Sequence, residues 1–330
     1  MDFKICVIGC GSIARSQHGP ACKHYEYLHK GTQFAACCDI DEERAKSFKE
    51  DFGLSAWYTD MNTMLEMENP QAVCLISPVE KTAELSIKIL EKGFPLILEK
   101  PPGMNIEETR QMIHVAETHA VPNLVAFNRR YMPIILKAMD LLEEWGGADC
   151  ITDVNYRMVR ANRRDENFAS TAIHGIDLVS HIVQSDYQQI DFRYKNLPQY
   201  GETVANFHLA GEMENGVAVN LDFWPMSGVN TERIEINTHR GLLSINLPIW
   251  AGCYDGFGKL THFVDSKEAL VLNGEDIAES DDEFVLGGFY HENAIFFDAV
   301  KNRSKIKGDI ASGLQAVEIA DIIRQRQAKY

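Results

Sequence analysis

Four polar residues at helical spacing give this sequence its first chemical signal. His174, Asp177 and His181 recur among the apolar residues of TAIHGIDLVSH, 171–181. Ser170 extends the series toward the N-terminus. At about 100° per residue, all four positions fall on one polar stripe of a helix. Two imidazoles, a carboxylate and a hydroxyl can exchange protons with a substrate or bind its hydroxyl groups, so the stripe predicts a catalytic or substrate-binding surface.

A glycine-rich turn near the N-terminus predicts a phosphate-binding site. The segment GCGSIA, 9–14, follows an apolar run and opens a helical pattern. In the resulting G-x-G-x-x-A motif, Gly9 permits the tight turn and Gly11 lets the backbone approach a pyrophosphate. Free N–H groups at the start of the helix then hold the anion. Ser12 and Ile13 complete the predicted contact with the cofactor.

Asp39 indicates which dinucleotide this turn would bind. It ends the second apolar run, where a carboxylate can accept hydrogen bonds from the adenosine ribose hydroxyls and would repel a 2′-phosphate. Arg44 follows closely and could offset that charge. We therefore predict NAD as the cofactor, with NADP as the alternative.

Further candidate residues follow the later apolar runs of the same half. Ser77 and Pro78 come directly after one run, at the edge where open α/β sheets bind ligands. Lys100 follows the next run, in EKPP, and the two prolines restrict its backbone. A lysine held in this way predicts a fixed ammonium group beside the nicotinamide. Glu99 and Asn128 complete the predicted cofactor contacts.

The elements that must position these residues form two domains. Residues 1–127 alternate short apolar runs with helical patterns, which predicts a doubly wound parallel sheet of the Rossmann type. Residues 128–330 begin with helices and continue as alternating segments separated by turn residues, which predicts an α+β domain with an open, mostly antiparallel sheet. We assign no elements to 251–288.

Composition narrows the class of protein. The chain has 330 residues and a formal net charge of −16, which argues against a nucleic-acid or membrane partner. Its eight cysteines show no CxxC pair, and several lie in apolar runs. The first residues do not resemble a leader peptide, and no run is long enough to span a membrane. We therefore expect a cytoplasmic protein with reduced cysteines.

Three motifs in order, GCGSIA, EKPP and FNRRYMP, resemble those of the Gfo/Idh/MocA oxidoreductases, a family that includes inositol dehydrogenases and MviM-like proteins. The resemblance covers nearly the whole chain. It implies reversible hydride transfer between NAD(P) and a hydroxyl carbon of a sugar, cyclitol or sugar derivative. It also implies that the free face of the C-terminal sheet joins copies of the chain as a homodimer or homotetramer. By position, Lys100 matches the catalytic lysine of the family's EKP motif.

The resemblance leaves two registers for the active-site helix, which has the form D-x-x-x-H-x-x-D in the family. One register keeps Asp177 and His181 as the D-x-x-x-H pair. The other aligns IHGID and makes His174 the catalytic histidine, with Asp177 as the second Asp. We prefer the second register, in which Ser170 replaces the first Asp and cannot orient His174 as a carboxylate would.

These residues suggest a mechanism and several substrate contacts. We expect His174 to take the hydroxyl proton and Lys100 to stabilise the developing alkoxide. The predicted substrate contacts are Asp177, His181, Ser170, Arg157 and Tyr131. We predict no metal, because the polar residues of the helix spread over about 10 Å.

Two interpretations stay open beside these assignments. Arg157, Arg160, Arg163 and Arg164 form either a solvated basic loop or a site for an anionic substrate group. The function also has two alternatives to a dehydrogenase. One is glycoside cleavage through transient oxidation and elimination, with the cofactor retained. The other is a dinucleotide-binding sensor or scaffold, suggested by the serine at position 170.

Overall fold

Apolar runs without alternation form a parallel sheet in the N-terminal half. The computed structural model describes residues 2–250 and 253–330. Six strands pair in parallel in the order β3-β2-β1-β4-β5-β6. They are β1 Phe3–Ile8, β2 Thr32–Cys38, β3 Ala56–Tyr58, β4 Ala72–Leu75, β5 Leu96–Glu99 and β6 Asn123–Ala126. The central strands are almost fully buried, as expected for a sheet covered on both faces.

Helices connect these strands. They are α1 Gly19–Leu28, α2 Glu42–Phe52, α3 Met61–Glu68, α4 Val79–Glu91 and α5 Ile106–Thr118. The helical pattern that follows GCGSIA is divided in the structure, because Ala14–His18 form a π-helical turn before α1. Side chains of Asp41, Asp60 and Asn105 cap the starts of three helices by accepting backbone N–H groups.

The chain divides into two compact units, and the first includes part of the C-terminal region. Unit 1 comprises the chain through Asn128 together with Gly288–Val317, and unit 2 comprises Arg129–Gly287 and Glu318–Tyr330. The predicted boundary after residue 127 therefore lies within one residue of the observed division. The assignment of all of 128–330 to a second domain is wrong for Gly288–Val317. A helix of this segment buries Phe296 and Phe297 within unit 1, and Phe297 packs on Tyr25.

Unit 2 contains the predicted open sheet. Eight strands pair in the order β14-β13-β12-β11-β7-β10-β9-β8, all antiparallel except β7 with β10. They are β7 Ile151–Ala161, β8 Tyr187–Asn196, β9 Ala205–Met213, β10 Ala218–Ser227, β11 Thr231–Thr238, β12 Gly241–Asn246, β13 Lys259–Val264 and β14 Lys267–Asn273. The mostly antiparallel architecture is confirmed.

Helices complete the molecule. They are α6 Pro133–Trp145, α7 Ala169–Val183, α8 Gly274–Ala278, α9 Glu283–Leu286, α10 Phe289–Asn302 and α11 Leu314–Arg324. The helix α7 packs on β7, where a side chain on Gly175 would enter the ring of Tyr156. Among the residues that the structure describes, no helix has both the length and the apolar character needed to cross a membrane.

Sequence patterns missed several short elements. β3 has three residues and α3 has eight, which is too short for a period to stand out, and the unassigned segment 251–288 contains β13, β14 and two short helices. The first two residues of that segment, 251 and 252, lie outside the described residues, as does residue 1 of the predicted first domain.

Candidate active site

The turn between β1 and the π-helical segment has the geometry of a phosphate-binding loop. Gly9 adopts φ +95°, and a Cβ there would lie 2.0 Å from the carbonyl oxygen of Ile76. A Cβ on Gly11 would meet no atom within 4 Å, so open space lies above that residue. Ser12 and Ile13 are exposed at the same turn. This turn fits a dinucleotide pyrophosphate, which needs backbone N–H groups without a side chain above them.

The carboxylate of Asp39 stabilises this turn by accepting backbone hydrogen bonds. Its Oδ2 accepts the backbone N–H of Cys10 at 2.8 Å, and its Oδ1 accepts the N–H of Asp41 at 2.9 Å. Each carboxylate oxygen keeps a second lone pair for a ribose hydroxyl. Arg44 lies close, with 3.9 Å between its Nη1 and Oδ2 of Asp39. The arrangement therefore suits NAD while leaving a guanidinium within reach of the same carboxylate.

Ser77 and Pro78 lie where the sequence predicts them, directly after β4. The hydroxyls of Ser77 and Thr82 are 3.0 Å apart, and Pro78 precedes the first residue of α4. Both residues therefore lie at the carboxyl edge of the parallel sheet, the edge at which open α/β sheets bind ligands.

Lys100 follows β5 at the same edge. Its peptide bond to Pro101 is cis, a feature that the EKPP motif did not reveal. Its backbone N–H donates to Oε2 of Glu99 at 3.1 Å, and Oε1 of Glu99 lies 3.0 Å from Nε2 of His18. Burial raises the pKa of Glu99, but the hydrogen bond from His18 and the nearby charge of Lys100 outweigh it, and the net pKa is lowered. Glu99 is therefore a carboxylate at neutral pH.

Asn128 is buried at the end of unit 1. It begins a 3₁₀ turn that extends to Tyr131. Tyr131 is also buried, with an exposed fraction of 7%. The structure therefore places Asn128 and Tyr131 of the FNRRYMP motif in a packed segment.

The polar stripe of α7 is present, and the structure assigns different environments to its members. His174 is buried, whereas Ser170 and His181 are half-buried. The Ser170 hydroxyl donates to the carbonyl oxygen of Asn167 at 2.8 Å, at the start of the helix. Asp177 is almost fully enclosed, with an exposed fraction of 2%. The two central members of the stripe, His174 and Asp177, are therefore buried, whereas Ser170 and His181 are partly accessible.

Asp177 forms an ion pair that the sequence did not reveal. Nε of Arg130 donates to Oδ2 of Asp177 at 2.7 Å, and Nη2 of Arg130 donates to Oδ1. Burial raises the pKa of the Asp177 carboxyl, and the charge of Arg130 opposes that shift. This bidentate geometry fixes the 3₁₀ turn before α6 to the middle of α7.

Arg157 does not belong to the surface that carries α7. Tyr156 faces α7, and successive side chains of a strand point to opposite faces, so Arg157 lies on the other face of the sheet. There its Nη2 lies 3.2 Å from Oδ2 of Asp222, and its guanidinium carbon lies 4.7 Å from the ring centroid of Trp224. The prediction that Arg157 joins the other residues around His174 is corrected by this strand register.

Arg160 is not part of a solvated basic loop. It lies in β7 with an exposed fraction of 1%, and its Nη2 donates to Glu232. Arg129 and Tyr156 donate to the same carboxylate. Burial raises the pKa of Glu232, but the charges of Arg129 and Arg160 outweigh it and hold the pKa at about 2. The sequence did not predict this cluster, because Glu232 lies on β11, far from its partners along the chain.

Comparison with known proteins gives the fold and the cofactor class of the first unit. Residues 3–127 match the model of the Gfo/Idh/MocA group, described as an oxidoreductase family with an NAD-binding Rossmann fold. This match confirms the predicted Rossmann domain and its NAD cofactor. The dehydrogenase MviM of Clostridium difficile superimposes with a TM-score of 0.83 at 16% identity, covering 99% of this chain and 100% of that one.

Two curated proteins are similar in sequence over more than half of this chain. The oxidoreductase P35 of Formosa agariphila is 24% identical over 53% of this chain and 59% of its own length. The glucose-6-phosphate 3-dehydrogenase of Bacillus subtilis is 28% identical over 66% of each chain. The chain therefore spans less than two thirds of the length of these relatives.

Proposed function

Because residues 3–127 belong to the Gfo/Idh/MocA family of oxidoreductases, we propose that this protein is an NAD-dependent dehydrogenase of a sugar, a cyclitol or a sugar derivative. The observation that carries the proposal is the position of Lys100. It follows β5 at the sheet edge that also carries the Gly9 turn, with its backbone tied to Glu99. The similarity to a glucose-6-phosphate 3-dehydrogenase supports a sugar as the substrate class.

The chemistry requires a hydride acceptor and a base. Bound NAD would supply the hydride acceptor for the carbinol carbon, and oxidation of the hydroxyl to a carbonyl would release a proton. The ammonium of Lys100 donates a hydrogen bond to the substrate oxygen and stabilises the charge that develops there. His174 takes the hydroxyl proton as general base. Ser170 cannot supply the carboxylate that would orient this histidine.

The remaining polar residues have separate proposed roles. His181, Ser170 and Tyr131 contact the hydroxyl groups of the substrate. Asp177 acts as a positioning residue, because both of its carboxylate oxygens accept hydrogen bonds from Arg130. In this assignment Asp177 holds α7 against the 3₁₀ turn that precedes α6.

The proposal is tested with the purified full chain and a panel of sugars, sugar phosphates and cyclitols. Net formation of reduced nicotinamide on addition of NAD+ is the expected result. Lys100→Ala and His174→Ala should each lower turnover by about 10²–10⁴-fold while NADH binding is retained. Lys81→Ala, on the exposed surface of α4, is the matched control and should keep full turnover.

Other outcomes would identify a different function. Cleavage of a chromogenic glycoside without net NADH would favour transient oxidation followed by elimination. Tight NADH binding without turnover of any panel member would favour a sensor or scaffold. Full turnover in the Lys100→Ala variant would contradict the assignment of that lysine.

We also propose that the sheet face opposite α7 joins copies of the chain. This face carries a cavity of about 340 Å³ lined in part by Arg157, Trp224, Arg233 and Tyr254, and Tyr254 is 72% exposed. Aromatic and arginine side chains are enriched in protein interfaces. Light scattering should give a dimer or tetramer, and Tyr254→Asp should lower that mass. A monomeric wild-type protein would contradict the proposal.

A further inference from the structure

Three polar side chains of unit 1 form a continuous chain that ends at Lys100; Asn293 and His18 are buried, and Glu99 is half-buried. Asn293 lies on α10, His18 ends the π-helical turn, and Glu99 ends β5. Nδ2 of Asn293 is 3.1 Å from Nδ1 of His18, and Nε2 of His18 is 3.0 Å from Oε1 of Glu99. His18 and Asn293 are 1% and 0% exposed. None of these contacts was expected from the sequence, because the partners of His18 are distant along the chain.

The hydrogen bonds of Asn293 determine which of its amide atoms faces His18. Its Nδ2 donates to the carbonyl oxygen of Phe289 at 2.8 Å, which only the amide nitrogen can do. Its Oδ1 accepts from the thiol of Cys74 at 3.7 Å. The nitrogen of Asn293 therefore also donates to Nδ1 of His18, and that ring nitrogen must be an acceptor. The ring proton then lies on Nε2 and points at Glu99.

The π-helical turn contributes to this geometry. A π-helical turn inserts an extra residue into a helix, and such insertions are frequent at functional sites. Ala14–His18 form the turn, and Gly19 follows it with no room for a side chain beside Phe52. His18 lies at the last position of the turn and is enclosed between α10 and the end of β5, where its ring packs edge-on against Phe289 at 5.3 Å.

We propose that Asn293 and His18 are positioning residues for Lys100, with Asn293 fixing the Nε2–H tautomer of His18 and His18 holding the Glu99 carboxylate against the Lys100 backbone. This inference rests on the proposed function, in which Lys100 contacts the substrate. In this arrangement two buried residues, His18 and Asn293, fix the carboxylate of Glu99 and through that carboxylate the position of Lys100.

The other acidic groups around Glu99 are neutral, which leaves Glu99 as the charged carboxylate among them. Glu292, on α10, is fully buried, and burial together with the charge of Glu99 raises its pKa well above the usual range. Glu292 is therefore a neutral acid at neutral pH. The thiol of Cys74 is also neutral, because burial raises its pKa. The charge of Lys100 also lowers the pKa of Glu99.

The first test measures the tautomer of His18 and requires neither enzymatic activity nor bound cofactor. Nitrogen NMR of the full chain with labelled histidine gives the protonated ring nitrogen, and comparison with His18→Gln identifies the signal. We expect Nε2–H in the wild type at pH 8. In Asn293→Asp, the new carboxylate accepts a proton from the ring, so Nδ1 should become protonated. A wild-type His18 with its proton on Nδ1 would overturn the proposal.

The second test measures the pH at which the Lys100 amine becomes reactive. Competitive acetylation followed by mass spectrometry gives the pH at which each lysine becomes reactive. His18→Leu removes the N–H donor that holds the Glu99 carboxylate beside Lys100, so the attraction on the ammonium should weaken and the Lys100 profile should move toward lower pH. His18→Gln retains an N–H donor and should leave the profile unchanged, and exposed Lys81 serves as the internal reference. An unchanged Lys100 profile in His18→Leu would overturn the proposal.

Activity then separates this proposal from the proposed function. In an active enzyme, His18→Leu should lose about tenfold in kcat/KM at pH 6 and less at pH 8, because acid protonates the unsupported Glu99. His18→Gln should keep the wild-type pH profile. If no substrate is oxidised by the wild type, the proposed function fails, whereas the tautomer and the Lys100 labelling still decide the positioning role.

Discussion

Asp177 and Arg130 form a buried ion pair in which two guanidinium nitrogens, Nε and Nη2, donate to the two carboxylate oxygens. The side chains are 2% and 9% exposed. A buried charge that loses its partner is costly, whereas an exposed pair contributes little. This pair therefore makes the stability of unit 2 depend on a residue that sequence reasoning placed at the substrate.

Replacing Asp177 should destabilise the protein. Asp177→Asn leaves the guanidinium of Arg130 buried without its counter-charge, at a cost of about 3–5 kcal/mol in the free energy of unfolding. Asp222→Asn, in the more exposed pair with Arg157, is the matched control and should cost about 1 kcal/mol or less. Urea unfolding monitored by circular dichroism measures both. Equal stability of Asp177→Asn and the wild type would show that the ion pair contributes nothing.

Glu232 should make the protein sensitive to acid. Its pKa is lowered from 4.5 to about 2 in the folded state, because Arg129 and Arg160 outweigh the effect of burial. A lowered pKa means that the carboxylate stabilises the fold above its unfolded value of 4.5, and that this contribution is lost as the pH falls from 4.5 toward 2.

Unfolding midpoints measured across that acidic range test this expectation. At pH 7, Glu232→Gln should be less stable than the wild type by roughly 3–5 kcal/mol, because two guanidinium groups lose their carboxylate. The difference should shrink as the pH falls through the window, since the wild type then loses the same charge. A difference that stays constant from neutral pH to the acidic limit would contradict the assigned pKa.

The sequence predicts the local parts of this site, and long-range pairing supplies the rest. Gly9, Asp39 and Lys100 follow buried strands, so periodicity and turn chemistry place them at one sheet edge. The Arg157 prediction failed because neighbouring residues of a strand face opposite sides. The partners Arg130 of Asp177 and Asn293 of His18 could not be found, because no local pattern encodes which distant side chains meet.

The two glycines of the cofactor turn should respond differently to alanine. Gly9→Ala places a Cβ 2.0 Å from the carbonyl oxygen of Ile76 and requires φ near +95°, so it should lower the free energy of unfolding by about 2 kcal/mol or more. Gly11→Ala meets no atom within 4 Å and should leave the stability of the cofactor-free protein within about 1 kcal/mol.

NADH titration of the same two variants tests the fit of the cofactor. Gly11→Ala should weaken binding at least tenfold, about 1.4 kcal/mol, because its methyl group occupies the space through which the pyrophosphate approaches the backbone. Its unchanged stability separates this effect from unfolding. NADH affinity equal to that of the wild type would mean that the pyrophosphate does not lie over Gly11.

Glu292 should give the protein the opposite pH dependence to that of Glu232. Its carboxyl group is fully buried, and among residues 2–250 and 253–330 neither oxygen has a hydrogen-bond partner. Burial and the charge of Glu99 raise its pKa above 4.5, so the folded state keeps a proton that the unfolded state releases. Stability attributable to this group is therefore complete below pH 4.5 and decreases as the pH rises above that value.

Glu292→Gln removes this dependence while retaining the shape of the side chain. The variant should gain stability relative to the wild type as the pH rises from about 5 to 8, because the amide never has to release a proton. Glu80→Gln, on the exposed surface of α4, is the matched control and should follow the wild-type curve. Urea unfolding at four pH values in this range measures the slope. Parallel curves for Glu292→Gln and the wild type would show that the buried carboxyl is not protonated in the folded protein.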